Sequence, residues 1–324
     1  MRIIIPGGSG QVGQVLARHF HSLKHEVIVI GRNPAAAPWR VADWDGLSAG
    51  PWASLLEKSD VCINLAGRSV NCRYGAKNRR AIYDSRIGTT RLLAQVIGSL
   101  KTPPRIWMNA STATIYRHSL DRAMDEATGE LGGGEVGAPS TWNFSIKVAK
   151  DWEEAFFETP IAGTRKIAMR SAMTFSPDRG GVFDEFLRLV RFGLGGTTGT
   201  GNQYVSWIHE IDFIRAIEFL IEHEEMNGPV NFAAPNPLPN RDFMRALRQA
   251  WGTGLGLPSA EWMVEVGTFL MRTESELVLK SRQVVPGRLI GAGFRFEFEH
   301  WPEAALELVA RWRRNPPPMH IRNF

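Results

Sequence analysis

The chain has 324 residues, 44% hydrophobic and 22% charged, an ordinary balance for a folded protein with room for one large α/β unit or a large domain carrying a smaller one. Its net charge of +5 is scattered rather than blocked, which suits an anionic small ligand, and no motif points to a nucleic-acid partner. The two cysteines, Cys62 and Cys72, exclude a disulfide framework and have no metal-ligand spacing around them, so no metal is expected.

Taken in chain order, a strand is predicted over residues 2–6, followed by a glycine-rich turn and a helix over 12–23. Strands follow at 26–30, 61–65, 105–110 and 164–170, with helices at 76–100 and 144–158 between them. The first, third and fourth strands are nearly continuous apolar runs, as expected where both faces are buried. This alternation predicts βαβ units and a doubly wound parallel sheet of the Rossmann type over residues 1–170. Beyond Arg170 the pattern loosens. Residues 193–202 hold five glycines and read as a loop, Asp212 is the expected cap of a helix to about His223, and 228–233 reads as one more strand. Residues 204–234 are therefore expected to return to the sheet. Residues 171–203 and 235–315 would form a smaller, mostly helical substrate-binding part, and 316–324 an extended tail. No apolar run reaches membrane-spanning length, and a strand beginning at Arg2 leaves no room for a leader. A cytoplasmic protein, monomer or homodimer, with no membrane partner is expected.

Gly7, Gly10 and Gly13 lie three apart between a strand and a helix. Glycines there permit a tight turn, let backbone approach a pyrophosphate, and let the helix pack close to the strand with an anion at its N-terminus. Ser9 and the backbone N–H groups of Gln11 and Val12 are the natural donors. The second strand runs into Gly31-Arg32 with no carboxylate before Asp43. An acid at that point would repel a 2′-phosphate, whereas Arg32 can meet one with a charge-assisted bidentate contact. NADP is therefore expected as cofactor, in preference to NAD.

From Asn64-Leu65-Ala66-Gly67 onward the chain resembles the extended short-chain dehydrogenase/reductase superfamily, in its atypical, epimerase-like branch identified with NAD-dependent epimerase/dehydratases. Residues 84–90 (DSRIGTT), 199–203 (GTGNQ) before 206–209 (SWIH), 231–235 (NFAAP) and 284–294 (VVPGRLIGAGF) carry the similarity over nearly the whole chain. The resemblance implies a cofactor lying across the carboxyl edge of the sheet. Leu65, Ala66 and Gly67 would line it and Arg86 would lie behind it. Ala110, Ser111 and Thr112 would sit near the nicotinamide ribose, and residues 171–173, Met173 included, near the nicotinamide.

The superfamily's usual chemistry needs a Tyr and a Lys four residues apart on a helix, so that both face the substrate. The four tyrosines are Tyr74, Tyr83, Tyr116 and Tyr204, and the residues four beyond them are Asn78, Ile87, Leu120 and Ile208. The pair is absent. Lys147 and Lys150 lie on the helix that should carry it, without a phenol. Tyr74 and Lys77 are three apart after the wrong strand and read as bordering the substrate entrance at most. The resemblance to sugar-nucleotide epimerases, which place a hydroxyl where Thr112 falls, makes Thr112, with Ser111 beside it, the catalytic candidate, able to hydrogen-bond a reacting oxygen but unable to supply a proton without a relay. By resemblance, Tyr116, Gln203 and His209 would border a small substrate, nucleotide-linked or sugar-like; capping the next helix is the other role open to His209. Three functions remain open: an NADP-dependent oxidoreductase or epimerase-like enzyme acting on a carbonyl or alcohol, a catalytically degenerate NADPH-binding sensor or scaffold, and an unrelated nucleotide-binding activity.

Overall fold

The apolar runs of the first half become strands with no solvent face. In a computed structural model, which describes residues 1–32, 35–258 and 276–314, Ile3, Ile4 and Ile5 of β1 (Arg2–Pro6) are fully buried. Successive side chains point to opposite faces, so Ile3 and Ile5 enter one core layer and Ile4 the other. The layer of Ile3 is closed by α1 (Gln11–Ser22), through Val15, Leu16 and Phe20. In β2 (Glu26–Gly31), Val27 and Val29 face that layer while Ile28 and Ile30 face the other.

The sheet continues with β3 (Arg40–Asp43) and β4 (Val61–Asn64). A long helix, α2 (Ala76–Ser99), then covers the Ile4 layer through Leu93 and Ile97, before β5 (Ile106–Thr112). After β5 come α3 (Ser140–Phe157) and β6 (Arg165–Ser171). Short β7 (Met173–Phe175), α4 (Val182–Arg191), β8 (Tyr204–Val205) and β9 (Trp207–His209) precede α5 (Glu210–Glu222) and β10 (Gly228–Phe232). The described chain ends with β11 (Leu238–Pro239), α6 (Asn240–Trp251), α7 (Glu276–Leu279), α8 (Gly287–Gly291) and α9 (Trp301–Arg314).

Seven strands form one sheet in the order β10-β6-β5-β4-β1-β2-β3, and every neighbouring pair is parallel. The chain winds outward in both directions from β1, so the strand order reverses between β1 and β4, where a crevice opens at the carboxyl ends. A second core lies beyond the sheet, built on Phe175, Phe183, Trp207, Phe243 and Trp301, with the Phe243 and Trp301 rings stacked 4.2 Å apart. No described helix is long and apolar enough to cross a membrane.

Two local features depart from the sequence reading. The strand β3 carries no apolar run; it is held by backbone pairing to β2, which sets Asp43 beside Gly31. The helix α5 starts before Asp212, because the His209 side chain caps it by accepting the Ile211 N–H. Asp212 is instead fully buried in the first turn, where it accepts the N–H groups of Glu297 and Phe298 at 2.7 and 2.9 Å. The segment from Val284 to Phe294 sets Phe294 edge-on against Phe219 of α5, with ring centroids 5.4 Å apart. It braces the edge strand β10, with Arg288 donating to the carbonyls of Asn227 and Pro229. The expected tail at 316–324 lies outside the described residues.

Candidate active site

The three glycines of the first turn serve three different needs. At Gly7, with φ +75°, an added Cβ would lie 2.4 Å from the backbone nitrogen of Ala66, so the turn presses against the end of β4. At Gly13 it would lie 2.4 Å from Cα of Gly8, so α1 packs directly on the turn. Gly10 is open, its nearest neighbour 3.8 Å away, and it caps α1 with no side-chain hydrogen bond. That leaves the first N–H groups of α1 free toward the crevice, where a side chain would fill the space an anion takes.

The cleft that begins here has a volume of about 480 Å³ and is lined by Gly7, Gly10, Gln11, Val12, Gly13, Leu65, Gly67, Arg86, Ala110, Ser111, Thr112 and Met173, among others. The structure thus brings most of the residues read from sequence around one space. Ser9 and Arg32 lie outside it, exposed, at the end of β2, where a Cβ on Gly31 would stand 3.4 Å from the Ser9 hydroxyl. Ala66 does not line the cleft. It is buried under the turn, its N–H given to the Asn64 side chain at 3.0 Å. Gln11 reaches away from its own helix and donates to Ser176 Oγ at 2.7 Å. The Arg86 guanidinium lies beside Gly67 and 5.1 Å from the Trp152 ring, and it donates to the carbonyls of Arg68 and Ile82. Burial pulls its pKa down to about 10, which still leaves a cation at neutral pH.

Four expectations at the reacting end change. Ser111 lines the cleft, but its one proton is donated away, to Glu153 at 2.5 Å, leaving only lone pairs for a ligand. Tyr116 is 2% exposed and turned into the core, accepting from Arg170 at 2.9 Å and donating to Asn231 at 3.0 Å. Gln203 is buried and does not line the cleft; it donates to the Thr198 carbonyl and so holds the glycine loop together. His209 is fully buried, capped against Ile211, 2.9 Å from Glu307 and stacked on Phe298. Of the three hydroxyls named from sequence at the reacting end, Ser111 and Tyr116 give their protons to Glu153 and Asn231, whereas the Thr112 oxygen accepts the Thr114 N–H at 3.1 Å and its O–H is left for a ligand.

The cleft face of α3 carries Phe144, Ser145, Val148, Ala149 and Trp152. No phenol or ammonium stands on it. Lys147 points to solvent and pairs with Asp151, and Lys150 is exposed. Ser145 and Ala149 hold an i, i+4 pair of cleft-facing positions that chemistry of the Tyr–Lys kind would require. Sequence reading missed what replaces them. Tyr74 enters the same cleft from the loop before α2, while Lys77 stays exposed. The Tyr74 hydroxyl hydrogen-bonds to Ser145, Ser145 donates to Glu276 Oε2 at 2.5 Å, and Glu276 lies 3.6 Å from Arg282. Arg282 donates in turn to the Thr114 hydroxyl at 3.1 Å, two residues from Thr112. The spacing along α3 was a signal that could have pointed to Ser145; nothing local marks Glu276 or Arg282. Among the described residues no group of His, Cys, Asp and Glu is arranged to hold a metal ion.

Residues 3–233 match the model of the NAD dependent epimerase/dehydratase family. The chain belongs to that family. Beyond it, residues 260–308 match DUF1731, a domain of unknown function. The epimerase family protein SDR39U1 of Bos taurus is 31% identical over 320 residues, covering 96% of this chain and 100% of that protein. Epimerase family protein YfhF of Bacillus subtilis is 29% identical, covering 96% and 98%. Human SDR39U1 (isoform 2), solved with NADPH, superposes with a TM-score of 0.83 at 27% identity, over 96% of this chain and 99% of that one. The UDP-N-acetylglucosamine 4-epimerase of Methanobrevibacter ruminantium shares the fold of this epimerase-family chain at a TM-score of 0.71 and 14% identity, covering 97% and 98%.

Proposed function

We propose that the chain is an NADP-dependent, epimerase-like oxidoreductase acting on a small carbonyl or alcohol, with residues 171–203 and the described residues of 235–315 forming the substrate side of the cleft. The observation that carries the cofactor assignment is the end of β2, where Arg32 and Ser9 stand exposed together and the strand itself has no carboxylate after Glu26, the nearest being Asp43, paired beside Gly31 from β3. The NADPH bound to the SDR39U1 relative supports the same choice. Gly7, Gly10, Gly13, Gln11 and Val12 would hold the pyrophosphate, Leu65, Gly67 and Arg86 the middle of the dinucleotide, and Ala110, Ser171 and Met173 its nicotinamide end. When bound, the dinucleotide supplies or takes up a hydride. The protein's task is then to orient the reacting oxygen, for which the Thr112 hydroxyl is placed, and to handle its proton. Built polar groups at the reacting end of the cleft favour an enzyme over a sensor.

Isothermal titration tests the cofactor assignment. Arg32→Ala is expected to weaken NADPH binding about tenfold, roughly 1.4 kcal/mol for a lost exposed phosphate contact, while leaving NADH unchanged. Equal affinities for the two cofactors, indifferent to the substitution, would falsify it. Thr112→Val is expected to lower carbonyl reduction about tenfold or more with NADPH affinity intact; a variant as active as its parent removes Thr112 from the site.

A further inference from the structure

The cleft contains a phenol that its usual carrier helix lacks. Tyr74 is 8% exposed, lies edge-on to Phe144 with ring centroids 5.4 Å apart, and lines the same space as Thr112 and Met173. Because the single Ser145 proton goes to Glu276, the bond between Tyr74 and Ser145 has Tyr74 as donor. The result is a directed chain, Tyr74 to Ser145 to Glu276, built from three separate elements and ending on a carboxylate 1% exposed beside Arg282.

We propose that Tyr74 is the proton-transferring residue of this site, with Ser145 and Glu276 as the path by which its proton leaves and returns. The proposal rests on the dinucleotide-dependent carbonyl–alcohol reading given above. In the oxidative direction the substrate O–H proton passes to the Tyr74 oxygen. At the same time the Tyr74 proton passes to Ser145 and the Ser145 proton to the Glu276 carboxylate. The electron pair of the broken C–H bond leaves with the hydride to an oxidised nicotinamide dinucleotide, and the oxygen's pair closes the C=O bond. In the reductive direction each proton moves back one place, and Glu276 is left as a carboxylate facing Arg282.

The surroundings suit this role. Burial, with the charge of Glu276 adding to it, pushes the Tyr74 phenol up to about 12, so it stays protonated at neutral pH and can give a proton as well as pass one. The side chains packed around it, Phe144, Val148 and Trp152, make an apolar setting for the phenol. Ser145 stands where a helix-borne phenol would project, so the reacting end is served from the loop before α2 instead.

The test uses the whole chain in three forms, wild type, Tyr74→Phe and Ser145→Ala. Intrinsic tryptophan fluorescence is titrated first with NADPH, then with small aromatic carbonyl probes (benzaldehyde and phenylglyoxal) added to the NADP⁺ complex. All three proteins are expected to bind NADPH alike. Tyr74→Phe is expected to bind the probes about tenfold more weakly, for one lost hydrogen bond. NADPH-dependent reduction of the probes is expected to fall about 100-fold in Tyr74→Phe, and to fall in Ser145→Ala with probe affinity nearly kept. Unchanged probe affinity and rate in Tyr74→Phe overturn the relay, as does a wild type that binds NADPH but neither probe. If Tyr74→Phe does not fold, Ser145→Ala decides, and a full rate in that variant overturns the path. A wild type that fails to bind NADPH overturns the dinucleotide reading itself and the relay with it.

Discussion

Replacing Glu153 by Ala is expected to cost about 3–5 kcal/mol of folding stability, read as a lower midpoint in chemical denaturation. Glu153 and Arg170 are buried together, with side-chain exposures of 11% and 9%, and meet through two parallel bonds of 2.8 and 2.7 Å. Removing the carboxylate strands a guanidinium in the core, and that unpaired charge, rather than the lost contact, sets the size of the effect. The damage extends to the cleft wall: Ser111 loses its acceptor, and Tyr116 shares a guanidinium no longer held in place. A double variant, Glu153→Met with Arg170→Met, separates charge from packing. It should recover most of the loss, since apolar residues of similar size often serve as well as a buried ion pair. A double variant no more stable than Glu153→Ala would show that shape, not charge, is what the pair contributes.

A second large effect is expected from pH, through Lys280. This lysine is 1% exposed, and its ammonium donates to the Thr114 carbonyl at 2.8 Å. Burial, reinforced by Arg282, pulls its pKa down to about 7. The unfolded chain holds the proton up to the ordinary lysine pKa of ~10.4. Between those two values the unfolded state therefore binds more protons, and stability rises with pH. Below about pH 7 both states are protonated and the penalty for burying the charge is present in full. Lys280→Met has no such group. The stability difference between wild type and Lys280→Met should shift in favour of wild type by about 3 kcal/mol from pH 6.5 to 9.5, on the order of 1.4 kcal/mol per pH unit above the folded pKa. Urea titrations at several pH values measure it, and two parallel curves would remove Lys280 as the cause.

What could be read from the chain alone was whatever depends on near neighbours in sequence. The strand at residues 2–6, the glycine spacing and the absent Tyr–Lys pair are each defined within a few residues, and all three were legible. Arg32 was legible too, since it immediately follows its strand. The strand β3 was not, because four exposed or half-exposed residues carry no hydrophobic period and are held by pairing to β2. The reacting end was least legible. Ser145 and Glu276 are 131 positions apart, and neither residue type announces a site. His209 and Gln203 were misplaced for the same reason: motif position says which residues lie near a cleft, while burial and hydrogen bonding decide which of them face it. Tyr74 was set aside because its spacing to Lys77 was wrong, yet its partner comes from a different helix.

The bond from Gln11 to Ser176 links residues 165 apart, and this bears on the order in which the protein assembles. A strand, a turn and a short helix can form from the first few dozen residues, but contacts of such long sequence separation are made late. The glycine turn is thus drafted early and finished late, when the segment ahead of α4 arrives to brace the first turn of α1. A chain cut before Ser176 would carry the whole glycine motif without the brace on α1.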